Sequence, residues 1–322
     1  MVPRATPTSY YGRPVLKAPT WKWPIPAYLF TGGVAAGSAL MAAGARTLDD
    51  EELAGHLNLA SFAASLVSGG LLVADLGRPA RFHHMLRVVK PTSPMSVGTW
   101  IFSAFSASSA LGAAATGARR AGAGPGRRFG TVAGLAQFGA AVLAPALGTY
   151  TAVLLADTAV PAWHEARRQL PWLFASSATA SGGAVAAMIV AVRRGPSPGA
   201  SALRALTVVA GVSELAAERA MHRHLATITT GEPIAPDLAA PYRRGRAGRL
   251  AKGARAATAV GTLAVAVSRR NRLLGGLGGL AVLAGSAMER FAIIAAGTET
   301  TRHPAYTVGP QRAGLVPATK PS

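Results

Sequence analysis

The 322-residue sequence contains no cysteine. That excludes disulfides, thiolate nucleophiles, thiolate zinc sites and cysteine-ligated iron–sulfur clusters from this chain. Any metal centre would have to use His and carboxylates, and none is expected. Charge is scarce as well: 14% of residues are charged, against about 25% in an ordinary soluble domain. Too few ionic groups remain to keep a large surface wet. Acidic residues are the scarcest, 13 against 33 Lys and Arg, leaving a formal net charge of +20. Such an excess raises nucleic acid as a partner, but its distribution argues against one. The cations fall in short clusters between apolar runs, at Arg119-Arg120, Arg127-Arg128, Arg193-Arg194 and Arg269-Arg270, as membrane-flanking loops carry them. No basic stretch is interleaved with aromatics and no zinc-finger spacing occurs. The first residues also lack the apolar core of a signal peptide, so residues 1–24 are read as a polar, Pro-rich tail.

What the sequence does have is length of apolar run. Half its residues are hydrophobic and mean hydropathy is +0.30. A bilayer crossing needs about 20 apolar residues. Eight runs qualify: Pro26–Ala45, Leu53–Leu76, Met95–Ala118, Phe129–Ala156, Leu170–Val192, Ala202–Met221, Ala251–Val267 and Leu273–Gly297. The third is diluted by Ser and Ala, the sixth carries charge, and the seventh is short. The fold class is therefore an all-α integral membrane protein of about eight transmembrane helices, arranged as two four-helix bundles. One domain spans 25–298, with halves at about 25–160 and 168–298, and 299–322 is a C-terminal tail. Glycine pairs four apart, Gly33 with Gly37 and Gly275 with Gly279, let helices approach closely. The longest connection, TTGEPIAPDLAAPYRRGRAGR, holds three prolines and a basic run and is read as an ordered or semi-ordered surface loop. Eight spans put both termini on one side. That side carries 20 of the 33 Lys and Arg, the opposite loops 10, so the termini are expected in the cytoplasm and the location is the cytoplasmic membrane.

One segment stands out chemically: DLGRPARFHHMLRVVKPTSPMSVGTW, residues 75–100. Asp75 closes the second span and Pro94 to Gly98 open the third. Arg78, Arg81, His83, His84, Arg87 and Lys90 lie between them. Such a loop sits at headgroup level or folds over a cavity. On spacing alone, a lipid-anchoring basic loop accounts for it best, with Asp75 bridged to Arg78 or Arg81.

This segment resembles the membrane subunit of the polysulfide reductase (NrfD-like) family, in which a DLGRP-type helix end precedes a PTSPMS-type helix start. The first span, PAYLFTGGVAAGSALMA, and the stretch YTAVLLADTAVPAW at 150–163 are similar to that family's first and fourth spans. These matches lie mostly within residues 24–182. The resemblance implies a membrane anchor for an iron–sulfur subunit that serves a molybdopterin-type catalytic subunit. It also implies exchange of two electrons and two protons with a quinone, menaquinone or ubiquinone, and no haem or cluster in this chain.

Topology bears on that implication independently. An even, antiparallel threading brings Tyr28, Asp75, Arg78, Ser96, Trp100 and Tyr150 toward one membrane face. Tyr28, Arg78, Trp100 and Tyr150 are the expected quinone-binding residues, since phenols can donate to a quinone carbonyl and line an apolar tail channel. Each tyrosine also fits the plainer role of an interfacial anchor. Asp75, Glu214, Glu218 and Glu289 are expected in proton transfer or a charge network, because ionisable groups inside a bilayer are expensive. Glu214, Glu218 and His222 share one helical stripe, and pairing of Glu218 or Glu289 with intrahelical arginines is an equal reading. Arg81, Arg87 and Lys90 are expected to dock the partner. His56, at the far end of the second span, is a possible proton entry but reads more simply as a helix-end residue. Two other functions fit the same composition: a secondary transporter, and a pure anchor without quinone chemistry. Against the transporter, the two halves show no matched pair of Gly/Pro-broken helices.

Overall fold

The fold of residues 13–122, 127–193 and 195–315 is described from a computed structural model. The outer parts of both expected tails (1–12 and 316–322) and Arg194 lie outside these residues. In hydrocarbon a chain must satisfy its own N–H and C=O groups, so each apolar run coils into a helix. The helices are α1 (Pro24–Thr47), α2 (Glu51–Asp75), α3 (Pro94–Arg120), α4 (Arg127–Ala156), α5 (Pro161–Glu165), α6 (Leu170–Val192), α7 (Ala200–Ala226), α8 (Gly245–Val267), α9 (Arg272–Arg302) and α10 (Ala305–Leu315). Eight of them, all but α5 and α10, are long and apolar enough to cross a membrane. This is a multi-pass membrane protein.

Local chemistry sets where several of these helices begin. The Asp50 side chain accepts from the Leu53 N–H at 3.1 Å, with Glu51 and Glu52 in the first turn of α2. Ser93 caps α3 ahead of Pro94, and Asn271 caps α9 by accepting from the Leu274 N–H. The seventh span is not short. α8 begins at Gly245, six residues before the apolar run, because Arg246 and Arg249 end the hydropathy signal without ending the helix.

Packing divides the spans into two closed rings of four. In the first, α1 meets α2, α2 meets α3, α3 meets α4 and α4 returns to α1. In the second, the same cycle runs through α6, α7, α8 and α9. The rings join where α1 crosses α6, and glycine makes that crossing possible. A Cβ at Gly37 would overlap the Ala178 carbonyl, and one at Gly182 would overlap the Gly37 backbone. Gly279 does similar work between α9 and α6, where an added Cβ would lie 2.6 Å from the Ala184 carbonyl oxygen.

Three connections differ from the sequence reading. The segment after α2 is a 3-10 helix, Pro79–Leu86. The long connection after α7 is a small hairpin, β1 (Thr229–Glu232) antiparallel to β2 (Ala235–Asp237), followed by a 3-10 turn at Ala240–Tyr242. It folds inward, burying Leu238, Ala239 and Tyr242 among Leu225, Ala247 and Ile293. Residues 305–315, expected as tail, form α10 and pack on β1. Between the rings, fully buried Trp163 of α5 donates from its indole Nε1 to the Ile293 carbonyl at 2.8 Å and stacks on Trp21 at 5.3 Å.

Candidate functional site

A cavity of about 480 Å³ opens between the ends of α1, α2, α3 and α4 at the face that bears the described chain ends. Each helix supplies one stripe. From α3 come Met95, Thr99, Phe102, Ser103 and Ser106, spaced at intervals of three and four. From α2 come Ser65, Gly69, Leu72 and Asp75, from α1 Tyr28 and Leu29, and from α4 Tyr150 and Leu154. The 3-10 helix Pro79–Leu86 covers it: Phe82, Met85 and Leu86 line the cavity, with Phe82 and Leu86 still 46% and 38% exposed, and Arg81, His83 and His84 are exposed. Its surface is mostly apolar with a few convergent polar groups, as a small-molecule site requires.

Tyr28 is buried, at 3% exposure, and its hydroxyl has no hydrogen-bond partner. Phe102 holds the ring edge-on at 6.1 Å. Buried phenols without a partner are uncommon, and Tyr28 is one of the residues that line the cavity. The Tyr150 ring lies directly over Gly98, where a Cβ would stand 2.6 Å from Cδ2. Its hydroxyl makes no hydrogen bond among the described residues either. Half-buried Asp75 completes the polar set. The expected bridge from Asp75 to Arg78 or Arg81 is absent: Asp75 forms no ion pair among the described residues, because the 3-10 helix carries both guanidinium groups outward.

The structure therefore gathers Tyr28, Asp75 and Tyr150 but not Arg78 or Trp100. Arg78 is exposed at the start of the 3-10 helix. Trp100 lies two residues beyond Gly98, on the other side of α3, and donates to the Val88 carbonyl at 3.4 Å. Ser96 donates to the same carbonyl and accepts from the Lys90 N–H at 3.0 Å. Trp100 and Ser96 thus tie residues 88–90 to α3. Arg81, Arg87 and Lys90 are all exposed. Sequence reasoning missed the cover; the spacing of Phe82, Met85 and Leu86 after Pro79 is the signal that could have shown it.

A profile of the family described as polysulphide reductase, NrfD, matches residues 15–221, well over half the chain. The chain belongs to the NrfD family. No curated protein matches it. Membership makes it a membrane subunit of a polysulphide reductase-type oxidoreductase, and the NrfD match covers every wall of the cavity.

A second polar group lies in the other ring, partly beyond the NrfD match. Glu218 receives a two-pronged bond from Arg255 of α8, Nε to Oε2 at 3.1 Å and Nη2 to Oε1 at 2.8 Å. The pairing expected for Glu218 with an intrahelical arginine is thus made by Arg255 rather than by Arg204, Arg219 or Arg290. Arg255 also reaches His222 Nδ1 at 3.1 Å, and the His222 ring tilts against Tyr242 at 4.7 Å. Glu214 accepts from Ser286 at 3.3 Å, and Ser177 of α6 donates to Ser286 at 3.1 Å. Glu289 is buried, while Arg290 lays its guanidinium 3.7 Å from the Phe174 ring centre and leaves Nε and Nη1 without hydrogen-bond partners. Burial, then the negative charges of Glu289 and Glu218, hold the Tyr242 phenol well above the usual tyrosine range. None of Glu214, Glu218 and Glu289 lines the cavity. His56 donates from Nδ1 to the Glu52 carbonyl at 2.8 Å, as a helix-end residue would. Without cysteine, neither ring can hold a thiolate-ligated cluster, and no three metal-ligating side chains converge among the described residues.

Proposed function

We propose that this NrfD-family chain is the quinone-reactive membrane subunit of a molybdopterin and iron–sulfur oxidoreductase. It exchanges two electrons and two protons between the quinone pool and a bound iron–sulfur subunit. The observation that carries the reading is the unpartnered Tyr28 hydroxyl, buried beside the same apolar cavity as Tyr150 and Asp75. A quinone head offers two carbonyl acceptors; Tyr28 and Tyr150 would each donate to one, and the apolar walls would take the start of the isoprenoid tail. Asp75, at the mouth and free of any ion pair, would take up the proton released when a quinol is oxidised, or return it in the reverse direction. Electrons would pass to or from a cluster held by the partner, because this chain has no cysteine to hold one.

Exposed Arg81, Arg87 and Lys90 surround the cover of the cavity and would dock an acidic partner surface there. Glu214, Glu218 and Glu289 would serve as a charge network through which protons are exchanged. By the distribution of Lys and Arg, the cavity face is the cytoplasmic side of the cytoplasmic membrane.

Tyr28→Phe and Tyr150→Phe test the reading in the intact complex. Each should lower quinone-linked turnover by about tenfold or more while leaving the catalytic partner's turnover with a soluble electron carrier unchanged. Normal quinone-linked turnover in both variants would leave this chain as a pure anchor. Purification without any iron–sulfur protein would favour a carrier instead.

A further inference from the structure

At the membrane face opposite the quinone cavity, the second ring holds another cavity, of about 310 Å³. It lies between the end of α6, the start of α7, the end of α8 and the start of α9. Its floor is apolar: Leu53, Ala186, Val190, Leu203 and Val265. Its rim is cationic, with Arg204, Arg269 and Arg272 beside Ser201 and Ser268. Three guanidinium groups around one small cavity repel one another unless something negative lies among them.

No carboxylate pairs with these three cations among the described residues. Arg204 and Arg269 make no hydrogen bond or ion pair among the described residues. Arg272 donates to the carbonyls of Arg193 and Gly195, at 3.1 and 2.9 Å, which neutralises nothing. Asp50 and Glu52 are both taken by Arg193, at 3.0 and 2.7 Å, and the Ser197 hydroxyl is bonded to Asp50. The start of α7 adds to the imbalance. Its N-cap is Gly199, with no side chain to satisfy the first N–H groups, and Ser201 and Arg204 of its first turns line the cavity.

We propose that this cavity binds a phosphate group, held by Arg204 and Arg269 at the rim. Guanidinium groups match phosphate oxygens in pairs, and basic pockets between transmembrane helices at the headgroup level suit anionic lipid heads. The apolar floor below the cations is what a lipid's glycerol and first methylenes would contact. A free phosphate would use the rim alone. The site is independent of the quinone reading, since it shares no residue with that cavity.

The test uses the full-length protein purified in neutral detergent, with any subunits that accompany it. The probes are phosphatidylglycerol, phosphatidylcholine and inorganic phosphate, read by thermal shift and by lipid retention in native mass spectrometry. Phosphatidylglycerol should bind in preference to phosphatidylcholine. Arg204→Gln/Arg269→Gln should weaken that binding by about tenfold or more, and Arg204→Lys/Arg269→Lys by less. Arg270→Gln, an exposed neighbour outside the lining, serves as the control. Competition by inorganic phosphate would identify a free anion as a ligand; its failure to compete would identify the lipid head. Equal retention of phosphatidylcholine, or binding that survives the double Gln substitution while circular dichroism shows an intact fold, overturns the proposal.

Discussion

Replacing Gly98 by alanine should move the Tyr150 ring. The three atoms nearest to an added Cβ all belong to that ring, with Cδ2 at 2.6 Å and Cζ at 3.0 Å. Cε2 is nearer still, and carbon atoms in contact prefer separations of about 3.5–4.0 Å, so the ring must retreat by roughly 1.5 Å. Overpacking of this kind costs about 1–3 kcal/mol, and alanine's better helix propensity returns up to about 1 kcal/mol. The net loss is too small to unfold the protein. The functional loss should be larger, because a displacement of about 1 Å in a positioning group can cost up to about 100-fold in rate. Quinone-linked turnover of the intact complex should therefore fall by about 10- to 100-fold, with the melting temperature nearly unchanged. A double-mutant cycle isolates the cause. In a Tyr150→Ala background the new methyl meets no ring, and Gly98→Ala should add less than about 0.5 kcal/mol to the barrier. An equal loss in both backgrounds would mean that Gly98 acts through something other than Tyr150.

Arg255→Gln strands the Glu218 carboxylate in the second ring. The expected loss is about 3 kcal/mol, at the low end for a broken buried pair because Arg255 is half exposed. Chemical denaturation should show it, and Glu218→Gln/Arg255→Gln should recover most of it. Asp50 predicts a pH dependence. Burial raises its carboxyl, but bonds from the Ser197 and Arg193 side chains and the Leu53 N–H outweigh burial and hold it below the ordinary value of 3.8. A depressed carboxylate contributes fully above its unfolded pKa and loses that contribution as pH falls through the folded one. The melting-temperature advantage over Asp50→Asn should thus be constant near neutrality and shrink below about pH 4. Trp163→Phe removes the indole donor from the Ile293 carbonyl and should destabilise by about 1–3 kcal/mol in the same denaturation assay.

The spans were legible because a lipid-crossing segment must be both long and apolar, and nothing else in a short chain meets that demand eight times. Their ends were less so. Hydropathy fades among arginines, whereas a helix need not end there, and so α8 lost its first turns, Gly245 to Leu250. Tyr28, Asp75 and Tyr150 could be grouped from the sequence because antiparallel threading fixes the depth of every helix end. Depth is only one coordinate. Trp100 shares a level with Tyr150 but faces away, since each residue advances the helix by about 100° and Thr99 and Phe102 already claim the inward stripe. The 3-10 cover was hidden by the charge around it: the six basic residues of 78–90, three of them in the 3-10 helix itself, drew attention from the three apolar ones that line the cavity. Contacts such as Trp163 with Ile293, 130 residues apart, leave no local trace.

The two rings carry their polar groups in different forms. Around the first cavity the buried groups are mostly hydroxyls: Thr31 with Ser68 at 2.7 Å, Ser109 with Ser61 at 3.2 Å, and the phenols. Neutral hydroxyls inside a bilayer cost little once bonded, so this ring can keep an open apolar cavity without strain from trapped charge. Ions are concentrated in the second ring, and there the bonding is incomplete. Glu214 has one carboxylate oxygen without a partner while Arg290 has two such nitrogens. Opposite charges left unsatisfied in low dielectric destabilise a fold, so the simplest packing argument would have replaced them with leucine. Helix α6 stands between the rings and touches both sets: Ser177 extends the Glu214–Ser286 chain, and Phe174 carries Arg290 while belonging to the same apolar cluster as Tyr28 and Leu29. Phe174 thus joins, by packing alone, the ionic groups of the second ring to the apolar cluster that contains Tyr28.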